Sequence, residues 1–215
     1  MAREDEHELI ERYKKVLNSL ESLKSDIEIH IKEICYEIDK ISNIDKITCR
    51  VKTLESFLKK ANKLDDNNRL KYQKPFIEIQ DLIGCRIVMY YKTDVEKAAD
   101  ILMGHFRRIE KEKIIPDDPK MFHYEGLHFI FAIPLQILNK YKSIPDIPVF
   151  FELQILTLFQ HAWATTEHDI GYKPTDHIDD EILRKLAFIA AQAWGADKML
   201  EEIIKSMDQR QNSNN

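Results

Sequence analysis

Apolar residues recur at helical spacing through the first forty positions. Ile10, Tyr13, Leu17, Leu20, Ile27, Ile31, Ile34, Ile38 and Ile41 follow a three-four rhythm, and Lys24 occupies the one slot that breaks it. The rhythm predicts helix over residues 3–41. Ser25-Asp26 beside the gap could cap a second helix, which leaves one rod and a broken pair both open. As a seam the stripe suits a coiled-coil partner, but cover for the domain's own sheet is the favoured reading, since a coiled coil needs a sustained heptad run.

Further on the period shortens to two. Ile47–Lys52, Cys85–Tyr91, Arg107–Ile115, Leu127–Ile133 and Val149–Leu156 read as strands. Between them lie helical stripes. Thr53–Leu64 carries Leu54, Phe57, Leu58 and Ala61; a helix from Thr93-Asp94 to His105 carries Val95, Ala98, Ala99, Leu102 and Met103. Leu158–Asp169 turns Phe159, Ala162, Trp163, Thr166 and Ile170 inward. Asp179 caps a last helix to about Met207 with Ile182, Leu186, Ile189, Ala193, Leu200 and Ile203 on its apolar side, followed by a frayed tail. Asp65–Lys74 is a polar connector, and the prolines at 116, 119, 145 and 148 mark loops. The expected class is α+β: a mixed sheet of about five strands flanked by helices.

Composition narrows the partners. At 215 residues, 44% hydrophobic and 32% charged, the chain is one or two domains with a real core. A net charge of −5 argues against a generally basic nucleic-acid binder, though it leaves room for a local patch. Cys35, Cys49 and Cys85 have no metal spacing and sit in apolar surroundings, so they read as buried thiols of a reducing cytoplasm. No apolar run reaches membrane-spanning length, and the acidic start MAREDEHE is not a signal peptide; a cytoplasmic protein is expected.

Three stretches carry candidate chemistry. Asp81 sits beside Gly84 at the entrance to a strand whose outer face holds Arg86. Such a carboxylate and guanidinium could bind a metal and a nucleotide, or make only a strand-entry turn with a surface ion pair. Arg50 and Lys52 share a strand face, and Ser56 and Lys60 continue it four apart on the next helix, with Lys59 about a quarter-turn away. The group suits phosphate oxygens, although basic residues on a solvated helix face are common. Glu152 shares a face with Phe150, Gln154 and Leu156 in a largely apolar strand, where an unpaired charge is costly to bury. A metal, a basic partner or a solvent-facing strand side would each account for it.

In order along the chain, four blocks resemble the synthetase domain of the RelA/SpoT family, in particular its short single-domain alarmone synthetases. They are Arg50-x-Lys52 with Ser56 and Lys60; Asp81 with Gly84 and Arg86; Pro119-Lys120 with Tyr124 and His128; and Glu152 with Gln154 and Ile155. A fifth contains Trp163, Ala164, Glu167, His168, Tyr172 and Lys173. The resemblance implies a nucleotidyltransferase-like synthetase core over 45–175, with a helical segment at 1–44 and a C-terminal helix and tail at 176–215. It implies magnesium-dependent transfer of the β,γ-pyrophosphate of ATP to the ribose 3′-OH of GDP or GTP. Arg50 and Arg86 would sandwich the adenine, and Lys52, Ser56 and Lys60 would hold phosphates. Asp81 would bind magnesium. Glu152 would be the catalytic carboxylate, placing metal or taking the 3′-OH proton. Tyr124 would stack on the acceptor base, with Lys120, His128 and Gln154 nearby.

Two departures touch the acceptor side. The expected N-G-Y-x-S-H loop reads Phe122-His123-Tyr124-Glu125-Gly126-Leu127-His128, and Leu156 stands where an arginine is usual. The 3′ end of a tRNA, the acceptor of the family's toxic branch, is therefore the alternative to a guanine nucleotide, with an antitoxin protein as a further partner. Lys111, Lys113, Lys120, Lys140 and Lys142 could build a local patch for it. An inactive nucleotide-binding module is a third reading, disfavoured by intact Asp81 and Glu152. The terminal helices offer a route to a homo-oligomer. With no hydrolase or ribosome-sensing region expected in the chain, those functions would fall to other proteins.

Overall fold

The computed structural model describes residues 6–114, 122, 126–171 and 179–213. Helix α1 (Glu6–Lys32) runs into a π-helical stretch, Glu33–Ile38, and then β1 (Ile44–Val51) and α2 (Leu54–Ala61). A short α3 (Pro75–Glu78) precedes β2 (Ile83–Met89), α4 (Lys92–His105), β3 (Arg108–Ile114) and β4 (Gly126–Ala132). The single turn α5 (Leu135–Leu138) leads to β5 (Phe150–Thr157), α6 (Leu158–Gly171) and α7 (Asp180–Ser213). The strands form one sheet in the order β1-β2-β5-β4-β3, with β2 and β5 parallel and the other neighbours antiparallel. This is the expected mixed five-stranded sheet flanked by helices.

Helix α1 is one rod across Ser25-Asp26. Ser25 Oγ donates back to the Glu21 carbonyl at 2.9 Å, while Asp26 accepts from Tyr141 Oη at 2.9 Å and Lys140 Nζ at 3.0 Å. The buried stripe is Leu9, Tyr13, Val16, Leu20, Leu23, Ile27, Ile31 and Ile34, so Leu23 fills the slot assigned to Lys24, and Ile38 is exposed. A strict three-four rhythm drifts against a straight helix of 3.6 residues per turn, and the π-helical stretch shifts the phase again. The stripe covers the sheet: Leu23, Ile27 and Ile31 pack with Cys85, Ile87, Phe129, Phe131, Leu153 and Ile155, and α4 adds Ala98, Ala99 and Leu102.

A second cluster joins Leu9, Tyr13, Val16 and Leu20 to Phe57 and Ala61 of α2 and to Phe76, Ile79 and Leu82. It clamps the backbone on both sides of Asp81. Lys52 N also donates to the Leu82 carbonyl at 2.9 Å, which ties the end of β1 to the start of β2.

Further expectations fail. Cys49 and Cys85 are not separate thiols, because the antiparallel register sets them opposite each other and they are joined as a disulfide. Cys35 remains a buried thiol, pushed up to about 12 by burial and by Asp39. In α6, Trp163 is buried as expected but Ala162 and Thr166 are exposed. In α7, Ile182, Ile189 and Ile203 are exposed, and among the described residues Ala190 and Asp197 are buried. The α7 face is set by a buried polar tie, Thr157 Oγ1 donating to Asp197 Oδ2 at 2.8 Å, which an apolar periodicity does not register. The helix also continues past Met207 to Ser213.

Phe131 is fully buried, stacked on Phe129 at 5.1 Å and flanked by Phe106 and Phe151. Phe131→Ala should lower unfolding free energy by about 3–5 kcal/mol, since the cavity cannot collapse among rigid rings. Urea denaturation showing a loss under about 1 kcal/mol would contradict this packing.

Candidate active site

Alternate residues of a strand face opposite ways, so the sheet face turned from α1 and α4 carries a different set. It holds Thr48 and Arg50 of β1, Gly84 and Arg86 of β2, Glu152 and Gln154 of β5, and His128 of β4. The register arranges them in two rows, Arg50–Gly84–Glu152 and Thr48–Arg86–Gln154–His128. Gly84 is thus a notch between a guanidinium and a carboxylate. A Cβ there would lie 3.8 Å from Glu152 Oε2, an ordinary contact, so a side chain would fill the notch rather than clash. Helix α6 completes a cleft of about 330 Å³ with His161, Ala164 and Thr165.

A chain of hydrogen bonds crosses the cleft floor. Arg86 Nε and Nη2 both donate to Gln154 Oε1, at 3.1 and 2.7 Å. Gln154 Nε2 donates in turn to Glu152 Oε2 at 3.0 Å. An arginine only donates and a carboxylate only accepts, so the amide orientation is fixed by its two partners. His128 Nδ1 lies 3.5 Å from Glu152 Oε1. Arg86 Nη1 lies 2.9 Å from His161 Nδ1.

Asp81 is bound from two elements. Lys52 Nζ from the end of β1 is 2.8 Å from Oδ2, and Lys60 Nζ from α2 is 3.0 Å from Oδ1. Burial pushes the Asp81 carboxyl up, but the hydrogen bond from Lys52 and the charges of Lys60 and Lys52 outweigh it and hold it below the usual carboxylate range. Because its folded value is depressed, Asp81 stabilises the fold above its ordinary value, and that contribution is lost as pH falls through the depressed one. Thr53 caps α2, its Oγ1 accepting from Ser56 N at 3.3 Å and donating to Ser56 Oγ at 3.0 Å. Lys59 is exposed, whereas Lys60 is half-buried on Asp81.

The structure therefore unites Lys52, Lys60 and Asp81 in one group and Arg86, Gln154, Glu152 and His128 in another, with Arg50 on the cleft wall. Gln154, expected near an acceptor base, lies between Arg86 and Glu152. Leu156 shares the parity of Glu152 but is fully buried. Lys120, Tyr124, Tyr172 and Lys173 fall outside the described residues. Sequence reasoning missed Thr48, His161 and Thr165, and named Ala164 only within the fifth block. The signal was there, since His161, Ala164 and Thr165 are spaced i, i+3, i+4 on one helix face just after β5.

A mixed sheet thus carries Arg50, Arg86, Gln154 and Glu152 along one cleft, with a separate Lys52–Asp81–Lys60 group where β1 and β2 meet α2. Residues 49–177 match the family described as "Region found in RelA / SpoT proteins", more than half of the chain, and the protein belongs to that family. It is 29% identical over 181 residues to GTP pyrophosphokinase YjbM of Bacillus subtilis (strain 168), covering 82% of this chain and 79% of the relative. To GTP pyrophosphokinase YwaC of the same organism it is 28% identical over 166 residues, 77% of this chain and 76% of that one. The fold matches small alarmone synthetase 1 from Bacillus subtilis with a TM-score of 0.74 at 24% identity, over 92% of this chain and 98% of the other. No helix among the described residues is long and apolar enough to cross a membrane.

Proposed function

We propose that the protein is an ATP-dependent pyrophosphokinase that transfers pyrophosphate to the ribose 3′-OH of GDP or GTP, making (p)ppGpp-type alarmones. The observation that carries this reading is the hydrogen-bonded series Arg86–Gln154–Glu152 on the floor of the cleft, which links a guanidinium suited to stacking on a base with a carboxylate. Two curated relatives are GTP pyrophosphokinases, and small alarmone synthetase 1 from Bacillus subtilis has been seen bound to its product pppGpp and to AMPCPP.

Arg50 and Arg86 flank the adenine on this reading. Lys52, Ser56 and Lys60 face the phosphates, and Lys120, Tyr124, His128 and Gln154 serve the acceptor. Magnesium would suit the site's two carboxylates by donor type, since carboxylate oxygens completed by water and substrate phosphates are what this ion takes. Asp81 and Glu152 would hold it, and it would neutralise charge on the transferred group. Lys52 and Lys60 already neutralise Asp81, so arriving phosphates and the carboxylate compete for the same ammonium groups. Glu152, beside His128, would accept the proton of the sugar hydroxyl on this reading.

Purified protein incubated with labelled ATP and magnesium should transfer label to GDP or GTP and leave deacylated tRNA unlabelled. Label on tRNA with none on GDP or GTP would move the protein to the toxic branch while leaving the donor side intact. Lys60→Ala should raise the KM for ATP about tenfold, one charge-assisted contact's worth. Lys59→Ala should change it less than about twofold, because that side chain is exposed on another face. Equal losses at the two positions would refute the phosphate role.

A further inference from the structure

We propose that His161 is a positioning residue for the ATP site: its neutral imidazole holds the Arg86 guanidinium in place, and its protonation releases it. The inference rests on Arg86 serving the adenine, as proposed above. Arg86 has three donor nitrogens in use on the cleft floor. Two are fixed by Gln154 Oε1, and the third, Nη1, meets His161 Nδ1 at 2.9 Å. A guanidinium has no lone pair to offer, so Nδ1 must be the acceptor and the ring proton resides on Nε2. Gln154 grips one edge of the guanidinium plane and His161 the far side, which together stop it rotating about its long stem. A planar group held in this way loses less freedom when a base stacks on it.

The ring's surroundings favour the neutral form. Burial first, then the charges of Lys46 from β1 and Arg86 from β2, push His161 below the ordinary histidine value, against a small opposing pull from Asp45. Arg50 of β1 and Glu152 of β5 line the same cleft, Glu152 acting on the ring through Gln154 and Arg86. On its own helix the ring meets only the Thr165 hydroxyl among the described residues, 3.5 Å from Nδ1, and that hydroxyl is already donated to the His161 carbonyl at 2.8 Å. Protonating Nδ1 replaces an acceptor by a donor and sets two cations within contact distance. Arg86 must then swing away, and the adenine loses one wall.

The test separates positioning from mere structure. In wild-type enzyme the KM for ATP should rise several-fold as pH falls from about 8 to about 5.5, across the range in which histidine titrates, while the KM for GDP changes little. His161→Ala should raise the KM for ATP about tenfold at neutral pH with kcat within about twofold, the loss expected for one hydrogen bond to a charged group. His161→Asn offers an amide oxygen near the place of Nδ1 and carries no charge, so it should keep a near-normal KM and lose the pH dependence. An alanine variant with wild-type KM, or an asparagine variant that keeps the pH dependence, overturns the proposal.

A second arm needs no turnover. Nitrogen-detected NMR of the full chain should show His161 as the Nε2–H tautomer, titrating below free histidine, and Arg86→Ala should raise that titration point. A ring with its proton on Nδ1, or one indifferent to Arg86, overturns the inference on its own. Failure of every acceptor assay with both NMR results intact would instead count against the assigned reaction.

Discussion

Glu152→Gln should abolish pyrophosphate transfer, lowering kcat by about a hundredfold or more, while leaving the fold and ATP binding in place. The substitution keeps size and shape, and Gln154 Nε2 can donate to an amide oxygen as it does now to Glu152 Oε2 at 3.0 Å. The cleft floor should therefore survive. What disappears is a negative charge and a proton acceptor beside His128, the two properties that a sugar hydroxyl and a metal ion require. The loss belongs in kcat, because an interaction confined to the transition state lowers turnover without weakening ground-state binding. A folded Glu152→Gln protein with turnover within about threefold of wild type would remove Glu152 from the chemistry.

Asp81→Asn should also cost about a hundredfold or more in turnover, with a different signature in binding. Asp81 engages Lys52 at 2.8 Å and Lys60 at 3.0 Å. Removing its charge frees both ammonium groups, so affinity for ATP without metal should hold or improve, while the magnesium concentration needed for turnover rises. Stability should fall slightly at neutral pH, because the carboxyl titrates below its usual range and its paired form contributes there. Titrating ATP by calorimetry with and without magnesium separates the effects. Weaker ATP binding in metal-free buffer, with an unchanged magnesium requirement, would show that Asp81 only props up the lysines.

How much of this was legible follows from what each signal measures. Period-two alternation marks which side chains share a strand face, and it located Arg86, Glu152, Gln154 and His128 on one side of their strands. Helical spacing separated Lys60 from Lys59. The class of the sheet and the family followed from the order of these blocks, since alternation, turn residues and motif spacing are all local properties of the chain. Phase was less secure. The α1 stripe held at Tyr13, Leu20, Ile27, Ile31 and Ile34 but slipped by one at Leu9, Val16 and Leu23, and α7 was turned by a buried Thr157–Asp197 hydrogen bond that no apolar pattern encodes.

Register lies beyond local pattern altogether. A strand's faces do not say which residue of a neighbour stands opposite, because pairing is decided by the whole core. The sheet set Cys49 against Cys85, which turned two expected thiols into a disulfide. It also set Gly84 between Arg50 and Glu152, which opened the cleft. The packing of α2 against α1 and the Phe76–Leu82 segment brought both lysines onto Asp81, and the angle of α6 brought His161 to Arg86. The residues and their faces were thus the sequence's to determine, through periodicity. Their meeting across as many as 75 positions was decided by the tertiary structure alone, because hydrogen bonds a few ångströms long depend on packing between distant segments.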